Sequence, residues 1–400
     1  MSGTVIVGGG QAAASLAAKL RAEGYRDPVT IIGAEPVAPY QRPPLSKAYL
    51  LGDMPLDRLT LRAPEFWRDN AIGLRLGEEA RAIDPEAKIL RVGRDEVAYD
   101  HLALCTGASP RRLPMALGGA LPGVYCVRNL ADVDLMAPLF VAGARLVVIG
   151  GGYIGLEAAA VARKLGLEVS VVEAAPRILG RVACAETAGA IRDLHTRHGV
   201  TLREGTGIER LTGNTHVTGV DLVDGTHLPA DFVITGIGVS PDTQLAEEAG
   251  LLVQNGIVTN AYGQTSNPYI WAAGDCAEIE ISGLRTRLES VGNAVDMGEC
   301  VAHNILGAQR PYHPKPWFWS DQFDAKLQIA GWNAGYDQVI TRHDDGDSFW
   351  YFRQGRLVAV DALNDPRAYM VGKRLIEADT PVSAHDLGDP STELKQLMRR

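Results

Sequence analysis

The stretch that most limits what this chain can fold into is Leu146-Val-Val-Ile-Gly150-Gly-Gly152-Tyr-Ile-Gly155. An apolar run enters a glycine turn, and a helical pattern leaves it from Leu156. Strand, glycine turn and helix is the context a dinucleotide requires. Gly150 permits the tight turn, Gly152 lets the backbone approach a pyrophosphate, and Gly155 lets helix and strand pack closely. Exposed N–H groups and the positive end of the helix dipole then face the phosphates. The next apolar run, starting at Glu168, ends at Glu173, the position of a carboxylate that hydrogen-bonds the adenosine ribose. A glycine turn in an ordinary α/β domain is the plainer alternative, and it leaves both flanks unexplained.

A second turn of the same kind opens the chain. Val5-Ile-Val-Gly8-Gly-Gly10-Gln-Ala-Ala13 carries Ala13 at the third glycine position, which the pattern permits. The strand that follows, Val29-Thr-Ile-Ile, leads to Glu35 as the matching ribose ligand, within one residue of register. Two such turns about 140 residues apart imply two different dinucleotides. The usual solution is a flavin held in the first site and a nicotinamide visiting the second.

The totals narrow the partners. A length of 400 residues suggests two or three domains, and 46% hydrophobic residues supply large cores. A net charge of −9 opposes nucleic acid or an anionic membrane as the main partner. The five cysteines are scattered, form no CxxC and fit no closed disulfide framework. No run reaches the roughly 18 apolar residues of a spanning helix. The N-terminus lacks a basic, then apolar, leader. A cytoplasmic protein without a metal site is expected.

Residues 39–47, Pro-Tyr-Gln-Arg42-Pro43-Pro-Leu-Ser-Lys47, form a proline-set loop. Ser46 or a neighbour is expected to cap a short helix through Leu50. The loop is placed to lie along a flavin ring, with the Lys47 ammonium near its N5–O4 edge. Taken alone, a solvated surface lysine explains Lys47 equally simply.

With the two turns at this spacing, the Arg42–Lys47 segment resembles the NADH-dependent ferredoxin reductases that serve bacterial cytochrome monooxygenases and aromatic-ring dioxygenases. Rubredoxin reductases and the redox part of apoptosis-inducing factor are relatives. Leu102-Ala-Leu-Cys-Thr106-Gly107 is similar to the family's crossing out of the flavin domain. Thr235-Gly236-Ile-Gly238-Val-Ser-Pro241 resembles the return crossing. Thr265-Ser-Asn-Pro-Tyr-Ile-Trp-Ala-Ala-Gly274-Asp275 resembles the second flavin motif, whose aspartate hydrogen-bonds the ribityl chain. Glu289-Ser-Val291 and Pro316-Trp-Phe-Trp319-Ser-Asp321 complete the series.

The resemblance implies an α/β fold with two Rossmann-like dinucleotide-binding domains, arranged as in glutathione reductase, plus a C-terminal α+β domain. Residues 1–113 and 244–314 would form the FAD domain, 114–243 the NAD domain and 315–400 the third. Segments 203–211, 217–222 and 232–235 read as strands of the insert. Short strands follow near Lys326, Gln338, Ser348 and Arg356, then a helix over 366–378.

The FAD contacts expected are Gly8, Gly10, Ala13, Glu35, Arg42, Pro43, Lys47, Thr106, Gly107, Asp275, Val291 and Trp319. Those for NADH are Gly150, Gly152, Ile154, Gly155, Glu173, Arg181 and Gly238. Glu173 favours NADH, since a 2′-phosphate would meet its carboxylate, although Arg177 and Arg181 follow closely. The residues implied in chemistry are Lys47, Glu157, Glu289 and Trp319. By resemblance Glu157 pairs with Lys47 across the flavin, Glu289 lies near the nicotinamide, and Trp319 lies along the flavin at the electron exit. Each has a plainer alternative: a helix N-terminal acid for Glu157, an exposed loop acid for Glu289, a packing tryptophan for Trp319.

No cysteine lies in residues 39–50, and only Cys126 and Cys184 lie in 123–243. A dithiol route is therefore excluded, and Cys105, in an apolar strand, is expected to be inert. Electrons leave the flavin directly. In the family the acceptor is a small [2Fe-2S] ferredoxin that feeds a terminal oxygenase. A rubredoxin or another small acceptor is the alternative, and a redox-controlled binding protein like apoptosis-inducing factor a more distant one. Arg310, Lys315, Lys373 and Arg374 are candidates for a basic docking patch.

Overall fold

The structure, a computed structural model, describes residues 2–281 and 283–398. Two compact units share the chain. Met1–Arg42, Pro55–Ser109 and Val239–Pro316 make the first; Pro43–Met54, Pro110–Gly238 and Trp317–Arg400 make the second.

The first unit is built on a parallel sheet. Its strand order is Ile270–Ala272, His101–Leu104, Thr4–Val7, Val29–Gly33, Ile72–Leu76. Val5, Ile6 and Val7 are buried, as a strand covered on both faces requires. The helix Gln11–Ala22 leaves the central strand, with Ala13, Leu16, Ala17 and Leu20 fully buried. It packs closely on the Val291–Ile305 helix, because Gly298 has no side chain: a Cβ there would lie 2.6 Å from the Ala12 carbonyl oxygen. The late segment of the unit is thus locked onto the early one.

The second unit repeats the plan. Its parallel sheet runs Thr201–Glu204, Glu168–Glu173, Arg145–Ile149, Phe232–Thr235, Val124–Tyr125. The helix Tyr153–Lys164 leaves the central strand, starting three residues before the apolar pattern at Leu156. A second sheet, all antiparallel, has the order Trp317–Gln322, Ala325–Gly331, Arg356–Leu363, Asp347–Arg353, Gln338–His343. The Pro366–Glu377 helix covers it, burying Val371 and Leu375 against Trp350 and Val360.

Two local expectations change. The segment 203–211 is two strands, Thr201–Glu204 and Ile208–Gly213, in different sheets. Gly205 adopts φ +69° between them and turns the chain. Ser46 does not cap a helix; it ends the short 3-10 turn Pro43–Ser46. The prolines set that turn, and the Ser46 hydroxyl is used elsewhere.

Candidate active site

The two glycine turns divide their labour in the same way. Gly8 has φ +117°, and a Cβ there would stand 2.1 Å from the Cys105 carbonyl oxygen. Gly150 has φ +109°, with the Gly236 carbonyl oxygen 2.4 Å away. Both turns are anchored alike: Gly8 N–H donates to Ile32 and Gly150 N–H to Val172, each at 2.8 Å. A Cβ on Gly155 would meet the Gly150 carbonyl at 2.4 Å, whereas Ala13 fits its place with its side chain fully buried. Gly10 has nothing within 4 Å of its missing Cβ, and Gly152 has only one carbonyl oxygen, at 4.0 Å. Bare backbone at a helix N-terminus, with open space before it, is the cradle a pyrophosphate fills.

The two carboxylates expected at the riboses differ in how they are held. Glu35 accepts from the Tyr40 hydroxyl and the Arg42 guanidinium, both at 2.5 Å. Burial works against the charge on Arg42, but Tyr40 and Glu35 outweigh it and raise its pKa, with Asp275 contributing in the same direction. The flavin-side candidates Glu35, Arg42 and Asp275 therefore share one electrostatic neighbourhood. Glu173 instead accepts from backbone, Gly151 N–H and Ala175 N–H, each at 2.7 Å. It ties the glycine turn to the strand beside it. The residues present fit a dinucleotide in each unit.

A cluster in the second unit draws together residues far apart in the chain. Lys47 Nζ lies 3.0 Å from Glu157 Oε1, 3.8 Å from Asp321 Oδ2, and 5.4 Å from the centre of the Trp319 ring. Ser46 Oγ donates to Glu157 Oε2 and Ser320 Oγ to Glu157 Oε1, both at 2.6 Å. Glu157 is 4% exposed. Burial raises its pKa; Lys47, Ser320 and Ser46 oppose that rise without cancelling it. A buried carboxyl with a raised pKa, held by an ammonium and two hydroxyls, is equipped to hold or release a proton-linked charge. Lys47 and Glu157, expected to pair across the flavin, form a direct ion pair.

The remaining expected residues fall as follows. Thr106 Oγ1 donates to the Asp242 carbonyl at 2.6 Å, and Gly107 has φ +75°. Val291 begins a helix that Ser290 caps through the Asn293 N–H. Glu289 is half exposed and ion-paired with Arg287 at 2.9 Å, a contact that needs no nicotinamide to explain it. Pro43 lies in the turn before Lys47. Ile154 is 44% exposed on the first turn of the Tyr153–Lys164 helix. Gly238 has φ +100°, and a Cβ there would lie 3.5 Å from the Arg181 guanidinium. Trp319 stacks on Trp317, ring centres 5.4 Å apart. Lys373 lies over Trp317 at 5.6 Å. All five cysteines are free, and burial pushes the Cys105 thiol well up. Sequence reasoning missed Ser320 and Gln322. Their spacing in Trp317–Gln322 was the available signal, since alternate strand residues share a face.

Two glycine-turn nucleotide cradles in one chain fit a flavin- and nicotinamide-dependent oxidoreductase. The chain belongs to the pyridine nucleotide-disulphide oxidoreductase family, which residues 3–298 match; residues 317–398 match the reductase C-terminal family. It is an FAD-dependent reductase that works with NAD(P)H. It is 41% identical to a ferredoxin–NAD(P)(+) reductase of Sphingomonas sp, over 98% of this chain and 97% of that one. It is 40% identical to putidaredoxin reductase CamA of Pseudomonas putida, over 98% and 96%. A rubredoxin–NAD(+) reductase of Pseudomonas putida matches at 36%, over 91% of this chain and 96% of that one. Among solved structures, the reductase in the covalent putidaredoxin reductase–putidaredoxin complex superposes with a TM-score of 0.96 at 38% identity, covering 99% and 98% of the two chains. No helix among the described residues is long and apolar enough to cross a membrane.

Proposed function

We propose that this protein takes a hydride from NADH onto FAD and passes the electrons singly to a small [2Fe-2S] ferredoxin, which feeds a monooxygenase or a ring-hydroxylating dioxygenase. The observation that carries this reading is the end-to-end likeness to ferredoxin reductases, at higher identity and coverage than the rubredoxin reductase. FAD, when bound, supplies the conversion of a two-electron hydride into single electrons.

The chain's own residues do the rest. Gly8, Gly10 and Ala13 admit one pyrophosphate, and Glu35 and Arg42 set the ribose end of that site. Thr106, Asp275 and Val291 complete it from residues 1–113 and 244–314. Gly150, Gly152 and Gly155 admit the nicotinamide dinucleotide within 114–243, with Ile154, Arg181 and Gly238 along its path. The Glu173 carboxylate excludes a 2′-phosphate by charge, which selects NADH. Lys47 and Glu157 act at the reacting rings: the ammonium is held in place by the carboxylate, and the carboxylate by Ser46 and Ser320. Holding the donor ring within reacting distance is the main task left to protein groups. Trp319 and Glu289 are assigned the electron-exit and nicotinamide sides on family resemblance. Five free cysteines support a reducing, cytoplasmic setting.

Steady-state NADH oxidation with a [2Fe-2S] ferredoxin, a rubredoxin and a soluble quinone tests the reading. The ferredoxin should give the highest kcat/KM by an order of magnitude or more. A preference for rubredoxin or quinone would replace it.

A further inference from the structure

Glu157 takes one of its donors from Ser320, and that hydroxyl is itself held from behind. Gln322 Nε2 donates to Ser320 Oγ at 3.0 Å, and Gln322 Oε1 lies 2.7 Å from His195 Nε2. An amide oxygen only accepts, so His195 carries its proton on Nε2. Each link then points the same way: His195 to Gln322, Gln322 to Ser320, Ser320 to Glu157. Ser320 has a single hydroxyl hydrogen. With the Gln322 amide on its oxygen, that hydrogen is left for the carboxylate. Exposures of 0% for His195 and Ser320 and 1% for Gln322 leave no room for water to substitute. Burial lowers the His195 pKa to about 4, so the ring is neutral at pH 7. Its Nδ1 is buried without a partner, as fits a bare ring nitrogen.

The far end of this chain is clamped. His195 lies edge-on to Phe323, ring centres 5.1 Å apart, and His198 stacks on the same ring at 3.9 Å. Lys164 Nζ donates to the Phe323 carbonyl at 2.9 Å. Phe323 follows the strand Trp317–Gln322 at the tip of a hairpin. Helices Tyr153–Lys164 and Ala185–Arg197 thereby fix the strand that delivers Ser320.

We propose that His195 and Gln322 are positioning residues for hydride transfer, setting the hydrogen-bonded state of Glu157 through Ser320. This rests on the reading of Glu157 given above. The groups that face Glu157 are Lys47 and Ser46 from the proline loop, Ser320 and, through Lys47, Asp321 from the strand, and Tyr153 from its own helix. The Ser320 bond lowers the Glu157 pKa, so losing it lifts that pKa further.

The test uses the holoenzyme with Ser320→Ala, Gln322→Met, His195→Leu and His195→Gln. Two quantities are followed against pH. One is the infrared carboxyl band of Glu157, assigned by its absence in Glu157→Gln. The other is the single-turnover rate of flavin reduction by NADH. Ser320→Ala should move the Glu157 titration up by about one pH unit. Gln322→Met and His195→Leu should move it the same way by less, and His195→Gln, which keeps a donor, should return it towards wild type. If His195→Leu does not fold, Gln322→Met and His195→Gln decide. A purely structural role would lower the melting temperature of Gln322→Met and leave both titrations in place, and that result overturns the proposal. If Glu157→Gln reduces its flavin at the wild-type rate, the reading of Glu157 itself fails, while the infrared titration still decides whether the chain reaches it.

Discussion

Glu157 is the residue on which the proposed chemistry turns. Its carboxyl is buried, yet three donors converge on it. Replacing it with glutamine keeps the shape and removes the charge that holds Lys47. We expect Glu157→Gln to slow flavin reduction by NADH on the order of tenfold or more, with FAD content unchanged. Rapid mixing under anaerobic conditions measures the first, and the protein-to-flavin absorbance ratio the second. Lys47→Met should be the more damaging to folding, since it strands a buried carboxylate. Asp361 is a second buried acid, outside the reaction. Burial raises its pKa to about 7, against hydrogen bonds from Tyr351 and Thr187. Between its unfolded value and that folded one, the native state holds a proton that the unfolded chain has released. Stability attributable to Asp361 therefore falls as pH rises through the window from 3.8 to about 7. Asp361→Asn removes the slope. Urea midpoints of both proteins across that window should diverge in favour of the variant as pH rises, by on the order of 3 kcal/mol. Parallel profiles would contradict the assignment.

At the scale of elements, the glycine turns separate folding from binding. Gly8, Gly150 and Gly155 are forced by neighbouring backbone, whereas Gly10 and Gly152 face open space. Gly155→Ala should lower the melting temperature. Gly152→Ala should leave it near wild type and raise the KM for NADH several-fold; Gly10→Ala should likewise fold and lose FAD. Equal losses of stability at Gly152 and Gly155 would sink this division. Glu173 combines both roles, because its oxygens brace Gly151 and Ala175. NADH should exceed NADPH in kcat/KM by a hundredfold or more, and Glu173→Ala should cost NADH without a matching gain for NADPH. The glycine turns were legible in the sequence because they depend on local spacing, and the Lys47–Glu157 pair because the family resemblance implied it. Ser320, Gln322 and His195 were not. Ser320 and Gln322 share a strand face, but their partners Glu157 and His195 lie on helices more than a hundred residues away, which no local spacing reveals. The break at Gly205 lies in Glu204-Gly-Thr-Gly207, a turn signal that the reading of one continuous strand passed over.

For the whole molecule, each unit repeats a parallel sheet whose central strand ends in a glycine turn, with a carboxylate, Glu35 or Glu173, proposed for the ribose. Five free cysteines accord with the proposed delivery of electrons from the flavin straight to an external acceptor. With a net charge of −9, an acidic ferredoxin must find a local basic surface. Lys373, which lies over Trp317, is one candidate; Arg374, Arg310 and Lys315 are others to be tested separately. Charge reversal there should slow ferredoxin reduction at low ionic strength and leave NADH-dependent flavin reduction intact. The proposed chemistry couples one hydride to two single-electron deliveries. The direct measurement is an anaerobic titration of the enzyme and excess [2Fe-2S] ferredoxin with NADH, followed by the visible spectrum of the cluster. Two ferredoxins should be reduced for each NADH consumed. NADH that reduces the flavin while the ferredoxin stays oxidised would contradict it.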